Sequence, residues 1–502
     1  MLIDGRELPP GTRLRAAVCI VGSGMGAVSA AHLLVQAGVD VLFVEAGPVQ
    51  ASPRIASPIQ VDNVGRAFGI ATSRGLELGG GTAFWHGVCA PLDAIDFLPR
   101  SFVPHSGWPI RREQLDRYYA LARTFLGADA PADPPASPAM RFGSSSAFLQ
   151  KDYQYRTPPF RGKTLLRQWC AQGRARCVYN CVALCMHEQN GRARLLSVAS
   201  AGKRFSISAE FFIIAAGALE TPRLLLNSLP SSSRLQTAMP WWLGRNLIDH
   251  PVGYLSQARY KRKLARSSAP AGVLHGMQLD MEVQMELGLP NHTAFLRPGF
   301  SRRPVPNRAI MAFLGIRGPR DLALSHLASL VRHPYILWRI ASQKLRLPAR
   351  RPYGDLFFMT EQLPNPDSRV SLSDTRSDQS GFPLAQVDWR LGEQDLALFE
   401  RFHQLAVNAM RAYPDVETIR VDAQSIWTAS VCSGAHHLGT ARMAAVEADG
   451  VVDPDLRLFG FDNVWIGDGS VFPTAGSANP SLTICALSHR LGTHLLGRMQ
   501  PG

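Results

Sequence analysis

Cysteine is scarce: the chain has 8 in 502 residues, which excludes a small scaffold held together by disulfides. Cys170, Cys177, Cys181 and Cys185 cluster, but they lack the paired CxxC spacing of a zinc or iron-sulfur site. Several of the eight sit in apolar strand-like runs, where a reduced thiol is a small hydrophobe, so a reducing compartment is expected. Uninterrupted apolar runs of about eighteen residues are missing, as is an N-terminal charged region followed by an apolar core and a small-residue cleavage site. The expectation is a soluble cytoplasmic protein. Internal repeats are absent too.

Acidic residues are outnumbered, with 39 Asp and Glu against 53 Lys and Arg and a formal net charge of +14. The imbalance is local: between Leu255 and Arg351 stand 17 Lys and Arg against 4 acids. This stretch includes Arg259, Lys261, Arg262, Lys263 and Arg266, then Arg332, Arg339, Lys344, Arg346, Arg350 and Arg351, the second group interleaved with Leu, Ile, Tyr and Trp. Without a nucleic-acid motif beside it, no nucleic-acid partner is expected. A solvated face is the plain reading; the alternatives for residues 259–351 are peripheral contact with an anionic membrane or docking of an acidic redox partner.

With 46% hydrophobic residues, a chain this long can bury the cores of two or three packed domains. Ala17 to Glu45 runs as an apolar strand, the turn Gly22-Ser23-Gly24-Met25-Gly26-Ala27, an apolar-periodic helix and a second strand ending at Glu45. This order is a βαβ dinucleotide fold. Gly22 permits the tight turn, Gly24 lets backbone approach a pyrophosphate, and Ala27 is the third small position, for packing of helix on strand. Unpaired N–H groups at the helix start favour the diphosphate, and Glu45 is placed to accept from both ribose hydroxyls. FAD and NAD share the half recognised here, so these residues leave that choice open.

Further motifs follow in order. Leu78-Gly79-Gly80-Gly81-Thr82 precedes Trp85-His86-Gly87 and Pro91-Leu92-Asp93, and its glycines allow close backbone approach to phosphate and ribityl groups. Trp108-Pro109-Ile110 comes next. A buried strand leads through Ala215-Ala216-Gly217-Ala218-Leu219-Glu220 to Thr221 and Pro222, read as N-cap and first helical residue. Gly244-Arg245-Asn246-Leu247 and Asp249-His250-Pro251 lie mid-chain; His436-His437-Leu438-Gly439-Thr440, Gly467-Asp468-Gly469 and Asn479-Pro480-Ser481 lie near the end.

Together these residues resemble the glucose-methanol-choline (GMC) FAD-dependent oxidoreductases, with a motif style nearest the pyranose oxidase-like branch. The resemblance covers both ends and the middle of the chain, and from Arg259 to about Gln424 only the general layout. It implies an α/β fold: a Rossmann-like FAD-binding domain built from residues 1–110, 160–255 and 425–502, with a substrate-binding domain based on a mostly antiparallel sheet from 111–159 and 256–424. It implies FAD-dependent oxidation of an alcohol, a sugar, polyol or natural-product hydroxyl being plausible, with oxygen or a redox carrier as electron acceptor. Cofactor contacts implied are Gly22, Gly24, Ala27, Glu45, Gly79, Gly80, Gly81, Thr82, Val182, Asp468, Pro480 and Ser481. Members that bind flavin covalently carry histidine just before the glycine-loop tryptophan; Phe84 stands there, implying non-covalent FAD. His86 follows the tryptophan and is not that histidine.

Alcohol oxidation removes the hydroxyl proton while the carbinol hydrogen leaves as hydride, so a base must stand beside the hydride acceptor. Histidine suits this near neutrality, and a carboxamide can hold the developing alkoxide. The resemblance puts these roles on His436 and Asn479. Neighbours in an extended strand point oppositely, so only one of His436 and His437 can face the flavin, and the motif spacing favours His436. Asn479-Pro480 is read as starting the last helix, its positive end toward the flavin. After Met359, Ser368-Arg369-Val370-Ser371-Leu372 and Ala385-Gln386-Val387-Asp388-Trp389 read as strands of the substrate sheet, followed by an amphipathic helix from Gln394 to Tyr413; Pro131 to Ser146 reads as an entrance loop. Two other functions remain: a non-redox lyase with structural FAD, and a non-catalytic flavoprotein binding anionic surfaces. No metal is expected.

Overall fold

The computed structural model describes residues 1–51, 59–66, 70–128, 147–237, 240–265, 271–298, 324–332, 334, 336–337, 341, 350–421 and 431–499. The entrance loop read at 131–146 lies outside them, as do parts of the basic stretch.

The N-terminal strand Arg13–Val21 is apolar at every position from Ala16 onward and runs through the middle of an eight-stranded sheet. Val41–Val44, Arg176–Tyr179 and Leu2–Asp4 follow it in parallel on one side. Lys203–Ile214 is parallel to it on the other and also pairs in parallel with Val464–Ile466, while Arg192–Ser200 and Val182–Gln189 extend the edge antiparallel. Parallel strands covered on both faces read as continuous hydrophobic runs, and Val18, Cys19, Ile20, Phe212, Ile213 and Ile214 are fully buried.

Helix Met25–Gln36 is buried along Gly26, Ala27, Val28, Ala30, Ala31, Leu34 and Val35. Its small residues let the last helix, Ser481–Met499, lie close: a Cβ on Gly492 would stand 2.7 Å from the Ala30 carbonyl oxygen. The start of the last helix is therefore carried to the same end of the sheet as the Gly22–Gly24 turn.

A second, antiparallel sheet takes Val416–Val421, Pro251–Ala265, Arg350–Met359, Thr293–Pro298, Ala271–Leu279, Phe148–Arg156 and Val88–Cys89 in that order, with Cys432–Ser433 pairing on Pro251–Ala265. Helix Glu393–Arg411 covers it with Phe399, Phe402, Ala406 and Met410, a spacing that keeps one face buried. Burying each such phenylalanine contributes about 1.5–3 kcal/mol.

Two expectations need correction. Arg369–Ser377 and Pro383–Asp388 are strands, yet they stand apart from the large antiparallel sheet and pair with Val61–Asn63 in a three-stranded sheet. Val370, Ala385, Val387 and Trp389 bury against Leu219 and Leu247, which draws this sheet onto the nucleotide-binding side. The helix read as beginning at Thr221-Pro222 begins earlier, spanning Gly217–Asn227 with Pro222 inside it. Asp468 explains both features. Its Oδ2 accepts the Gly217 N–H at 2.8 Å and the Thr221 hydroxyl at 2.7 Å, so the carboxylate caps the helix from another segment. Pro222 has no N–H for the Ala218 carbonyl, and the Thr440 hydroxyl donates to that oxygen instead at 2.7 Å. All eight cysteines are free, and no described helix is long and apolar enough to cross a membrane.

Candidate active site

The dinucleotide cradle forms where strand Arg13–Val21 turns into helix Met25–Gln36. Gly22 has φ +99°, and a Cβ there would stand 2.3 Å from the Ala215 carbonyl oxygen, so no other residue fits. Gly24 caps the helix with no side-chain hydrogen bond, and a Cβ on it would meet no atom within 4 Å. The helix start thus faces open space with its N–H groups available, as a diphosphate requires. Ala27 is fully buried, but the close approach occurs one residue earlier: a Cβ on Gly26 would be 1.8 Å from the Gly467 carbonyl oxygen.

Glu45 ends its strand buried. One carboxylate oxygen accepts the Gly47 N–H at 2.8 Å, the other the Ser23 hydroxyl. Burial pushes its carboxyl up to about 7, with the Ser23 and Gly47 hydrogen bonds opposing. Each oxygen keeps a further lone pair for ribose hydroxyls. Ser23 also accepts the Gly79 N–H at 2.8 Å, tying the glycine loop to the first turn; the sequence reading missed this residue because it is merely the variable position of the fingerprint. Gly79 and Gly80 have φ +92° and +52°. The Thr82 hydroxyl donates to the Gly79 carbonyl at 2.6 Å and accepts the Gly162 N–H at 3.0 Å, so it braces the loop. Gly81 is exposed and faces open space. Val182 packs with Ile59, Leu184 and Ala199 against Ala46, next to the segment after Glu45. Asp468 is engaged by Gly217, Thr221 and, at 2.8 Å, the Ser470 N–H. The open helix start, the buried acid and the glycine loop fit an adenosine-diphosphate cofactor such as FAD.

The C-terminal motifs meet at the other side of this end. Asn479 Nδ2 donates to His436 Nε2 at 3.2 Å, and Pro480 precedes a helix that starts at Ser481, as expected. His436 is half-buried; burial foremost, then the neighbouring rings His250, His437 and His86, hold its imidazole well below the usual value. His437 has its imidazole pushed down to about 3 by burial and by Arg74. His86 is exposed but close enough to bear on His436.

Two residues quoted only as part of the mid-chain motif prove central. Asp249, fully buried, accepts the backbone N–H of His250 at 2.6 Å and of His436 at 2.9 Å through one oxygen, and the Ser433 hydroxyl through the other. His250, also fully buried, lies between His436, with Nδ1 to Nδ1 at 3.1 Å, and the Gly476 carbonyl, 3.0 Å from Nε2. Burial pushes the His250 imidazole down to about 4. Among the described residues Asp249, His250 and His436 also form the one group close enough to hold a cation.

The loop that delivers Asn479 is pinned along its length. Gly476 donates to Glu361 Oε1 at 3.2 Å, the Ser477 carbonyl accepts the Tyr153 hydroxyl at 2.9 Å, and the Pro473 carbonyl accepts Asn246 Nδ2 at 3.3 Å. Trp108 Nε1 donates to the Thr474 hydroxyl at 3.0 Å, which accounts for the Trp108-Pro109-Ile110 motif. Glu361 is itself held by Arg100 through two 2.7 Å hydrogen bonds with both side chains fully buried.

Fold and cradle together define an α/β protein of the dinucleotide-binding class, with a histidine and a carboxamide brought to the cradle's end of the parallel sheet. Comparison with known proteins narrows the class. Residues 364–488 match the family model described as GMC oxidoreductase. The chain is 24% identical to paromamine 6'-oxidase of Streptomyces fradiae over an alignment of 525 positions, gaps included, which covers 96% of this chain and 91% of that protein. It is 26% identical over 318 residues to 2-methyl-1,2-propanediol dehydrogenase of Mycolicibacterium austroafricanum, a match covering 62% of this chain and only about half (53%) of that relative. The crystal structure of pyridoxine 4-oxidase from Mesorbium loti has a TM-score of 0.59 at 17% identity, over 97% of this chain and 100% of that one, a likeness of fold. Residues 364–488 thus match a GMC oxidoreductase domain, and over nearly its whole length the chain is similar to an oxidase, a likeness that points to this family of FAD-binding flavoproteins.

Proposed function

We propose that the protein oxidises a primary or secondary alcohol to the carbonyl compound, with His436 accepting the hydroxyl proton and Asn479 holding the substrate oxygen. The observation that carries this reading is the 3.2 Å approach of Asn479 Nδ2 to His436 Nε2 at the foot of the last helix, which packs along the dinucleotide helix. FAD, when bound, supplies the two-electron acceptor that takes the carbinol hydride. Gly22, Gly24, Glu45 and the Gly79 to Thr82 loop would hold its adenosine diphosphate and ribityl portions, and the positive end of the helix opened by Pro480 and Ser481 would favour negative charge on it. Non-covalent attachment belongs to the same reading, because Phe84 before Trp85 offers no ring nitrogen.

His436 is suited to the proton step for two reasons. Burial keeps its ring neutral at physiological pH, so a lone pair is available without prior deprotonation. The Asn479 amide beside Nε2 can donate to the oxygen as negative charge grows there. The O–H bond breaks toward Nε2 and the substrate carbon becomes a carbonyl. The substrate class we infer is a sugar, polyol or natural-product hydroxyl, a range into which the names of paromamine 6'-oxidase and the propanediol dehydrogenase fall.

Anaerobic mixing with paromamine, pyridoxine and 2-methyl-1,2-propanediol, followed by admission of air, tests the reading. Bleaching of the yellow flavin identifies alcohol oxidation, and the response to air separates oxygen from a redox carrier as acceptor. A lyase with structural FAD would not bleach. His436→Ala is expected to keep its flavin and reduce it 10²–10⁴-fold more slowly, about the contribution of a positioned base; unchanged reduction removes His436 from the role.

For the basic stretch we propose peripheral contact with anionic lipid. In helix Leu324–Arg332 the side chains of Leu324 and Val331 are 84% and 85% exposed, and Leu327 is exposed beside them. Apolar side chains among arginines are the composition of an interfacial lip.

A further inference from the structure

We propose that His250 is a positioning residue that fixes which nitrogen of His436 carries the proton, so that the lone pair stands on the side facing Asn479. The inference rests on the reading of His436 as proton acceptor and adds how its tautomer is set.

The argument starts from a group whose hydrogen-bonding role has no ambiguity. A backbone carbonyl can only accept, and that of Gly476 lies 3.0 Å from His250 Nε2, so Nε2 bears the hydrogen. A neutral imidazole carries one hydrogen, which leaves His250 Nδ1 as a bare acceptor. Complete burial keeps the ring neutral and outweighs the opposing pull of the Glu361 carboxylate. His436 Nδ1, 3.1 Å away, must then donate, and its other nitrogen must carry the lone pair. Asn479 Nδ2, an amide donor, meets that nitrogen at 3.2 Å. The direction of donation therefore agrees from both ends: Asn479 to His436, His436 to His250, His250 to Gly476. The Gly476 carbonyl, which can only accept, fixes this direction by itself.

The backbone is built to bring the two rings together. One oxygen of Asp249 accepts the N–H of both histidines. Gly434 donates to the His250 carbonyl at 2.9 Å, and a Cβ there would stand 2.6 Å from that oxygen and 3.3 Å from His436 Nδ1, so a side chain would wedge the pair apart. Ala435 turns the chain at φ +63° with its N–H on the Ser433 hydroxyl, which in turn donates to Asp249. When His436 Nε2 takes the substrate proton, Nδ1–H continues to donate to His250 and no other hydrogen has to move.

The same three side chains could approach a cation, but a metal on the two facing Nδ1 atoms would use both lone pairs, force the His436 hydrogen onto Nε2 and abolish the acceptor. Moreover, the Asp249 oxygens already accept two N–H groups and a hydroxyl. The two arrangements are mutually exclusive, so they can be told apart.

Two near-isosteric variants of the FAD-loaded enzyme provide the test. In His250→Asn the amide oxygen can take the place of Nδ1 and still accept from His436; in His250→Gln the amide nitrogen can take the place of Nε2 and still donate to Gly476, with nothing left to accept from His436. If His250 sets the tautomer, the limiting rate of flavin reduction by the most active alcohol of the panel stays within about threefold in His250→Asn. It falls about 10²-fold or more in His250→Gln, with substrate Kd and flavin content unchanged. A residue that merely held the Gly476 loop would give the opposite order, and equal rates in both variants would also overturn the proposal. Nitrogen-15 spectra of histidine-labelled wild-type protein need no substrate and no variant to fold: His436 is expected with hydrogen on Nδ1, and hydrogen on Nε2 refutes the inference, as does stoichiometric metal whose removal by chelation abolishes activity. His436→Ala in parallel separates the two levels. Unimpaired reduction there overturns the proposed function and the inference together, whereas loss there with none in His250→Gln overturns the inference alone.

Discussion

The buried pair Arg100 and Glu361 offers a sharp test of how the catalytic loop is held. Replacing Arg100 by Leu removes both 2.7 Å hydrogen bonds and, among the described residues, the one cation bonded to the fully buried Glu361 carboxylate. Glu361 would keep just two backbone donors, Asn291 N–H at 2.8 Å and Gly476 N–H at 3.2 Å. Breaking a buried pair by removing one partner costs about 3–5 kcal/mol, a large share of the roughly 5–15 kcal/mol that keeps a protein folded. The pH dependence follows with a definite sign. In the intact protein burial alone would raise the Glu361 pKa, but the Arg100 charge and hydrogen bonds outweigh it and hold the carboxyl below its usual value. Without Arg100, burial outweighs the remaining Asn291 and Gly476 N–H donors, and the folded pKa is expected to rise above the unfolded one. Such a group destabilises most at neutral and higher pH, where the unfolded chain is ionised, and the penalty fades as pH falls. Urea unfolding of the FAD-loaded protein at pH 8 and pH 5, followed by circular dichroism, should therefore show the gap between wild type and variant widest at pH 8. Adding Glu361→Gln to Arg100→Leu keeps a carbonyl oxygen for the loop N–H and removes the stranded charge, so about 2 kcal/mol should return. A single-variant loss below about 1 kcal/mol at pH 8, or a double variant no better than the single, would refute the reasoning.

Flavin reduction should be flat with pH above about 7 and fall only below about 6.5, because the proton-accepting form of His436 dominates above a folded pKa that burial and the rings of His250, His437 and His86 hold below the ordinary histidine value; a midpoint above 7 in stopped-flow measurements would contradict this. Gly26→Ala drives a Cβ to 1.8 Å from a backbone oxygen that cannot rotate away, so a loss of at least about 3 kcal/mol and of bound flavin is expected, while Gly497→Ala, with nothing within 4 Å, should leave the thermal midpoint and flavin content unchanged or slightly improved. Co-sedimentation with phosphatidylserine vesicles should be salt-sensitive and weakened by Leu324→Asp with Val331→Asp; no binding favours a solvated face, and binding to an acidic protein instead favours a redox partner.

Much of the nucleotide-binding end was legible because its signals are short-range. Strand, glycine turn, helix, strand and Glu45 follow one another within one stretch, and each residue type has a local reason to be there. The same holds for the start of the last helix after Asn479-Pro480 and for the amphipathic helix over Glu393–Arg411. The helix after Ala216 was misjudged at its start because Thr221 and Pro222 imitate a local cap, whereas its true cap, Asp468, lies 251 residues from Gly217.

Sequence alone determined the strand, glycine turn, helix, strand and Glu45 order at the N-terminus, and its family resemblance singled out His436 and Asn479 as the candidates for the chemistry. Only the tertiary structure decided that Asp249 suspends both His250 and His436, that His250 lies between His436 and the Gly476 carbonyl, and that Glu361 and Arg100 pin the loop carrying Asn479. Those partners stand 186, 226 and 261 residues apart along the chain. Local pattern carries no information about such pairings; they form only when two sheets and the first and last helices pack, and burial then gives each hydrogen bond its direction.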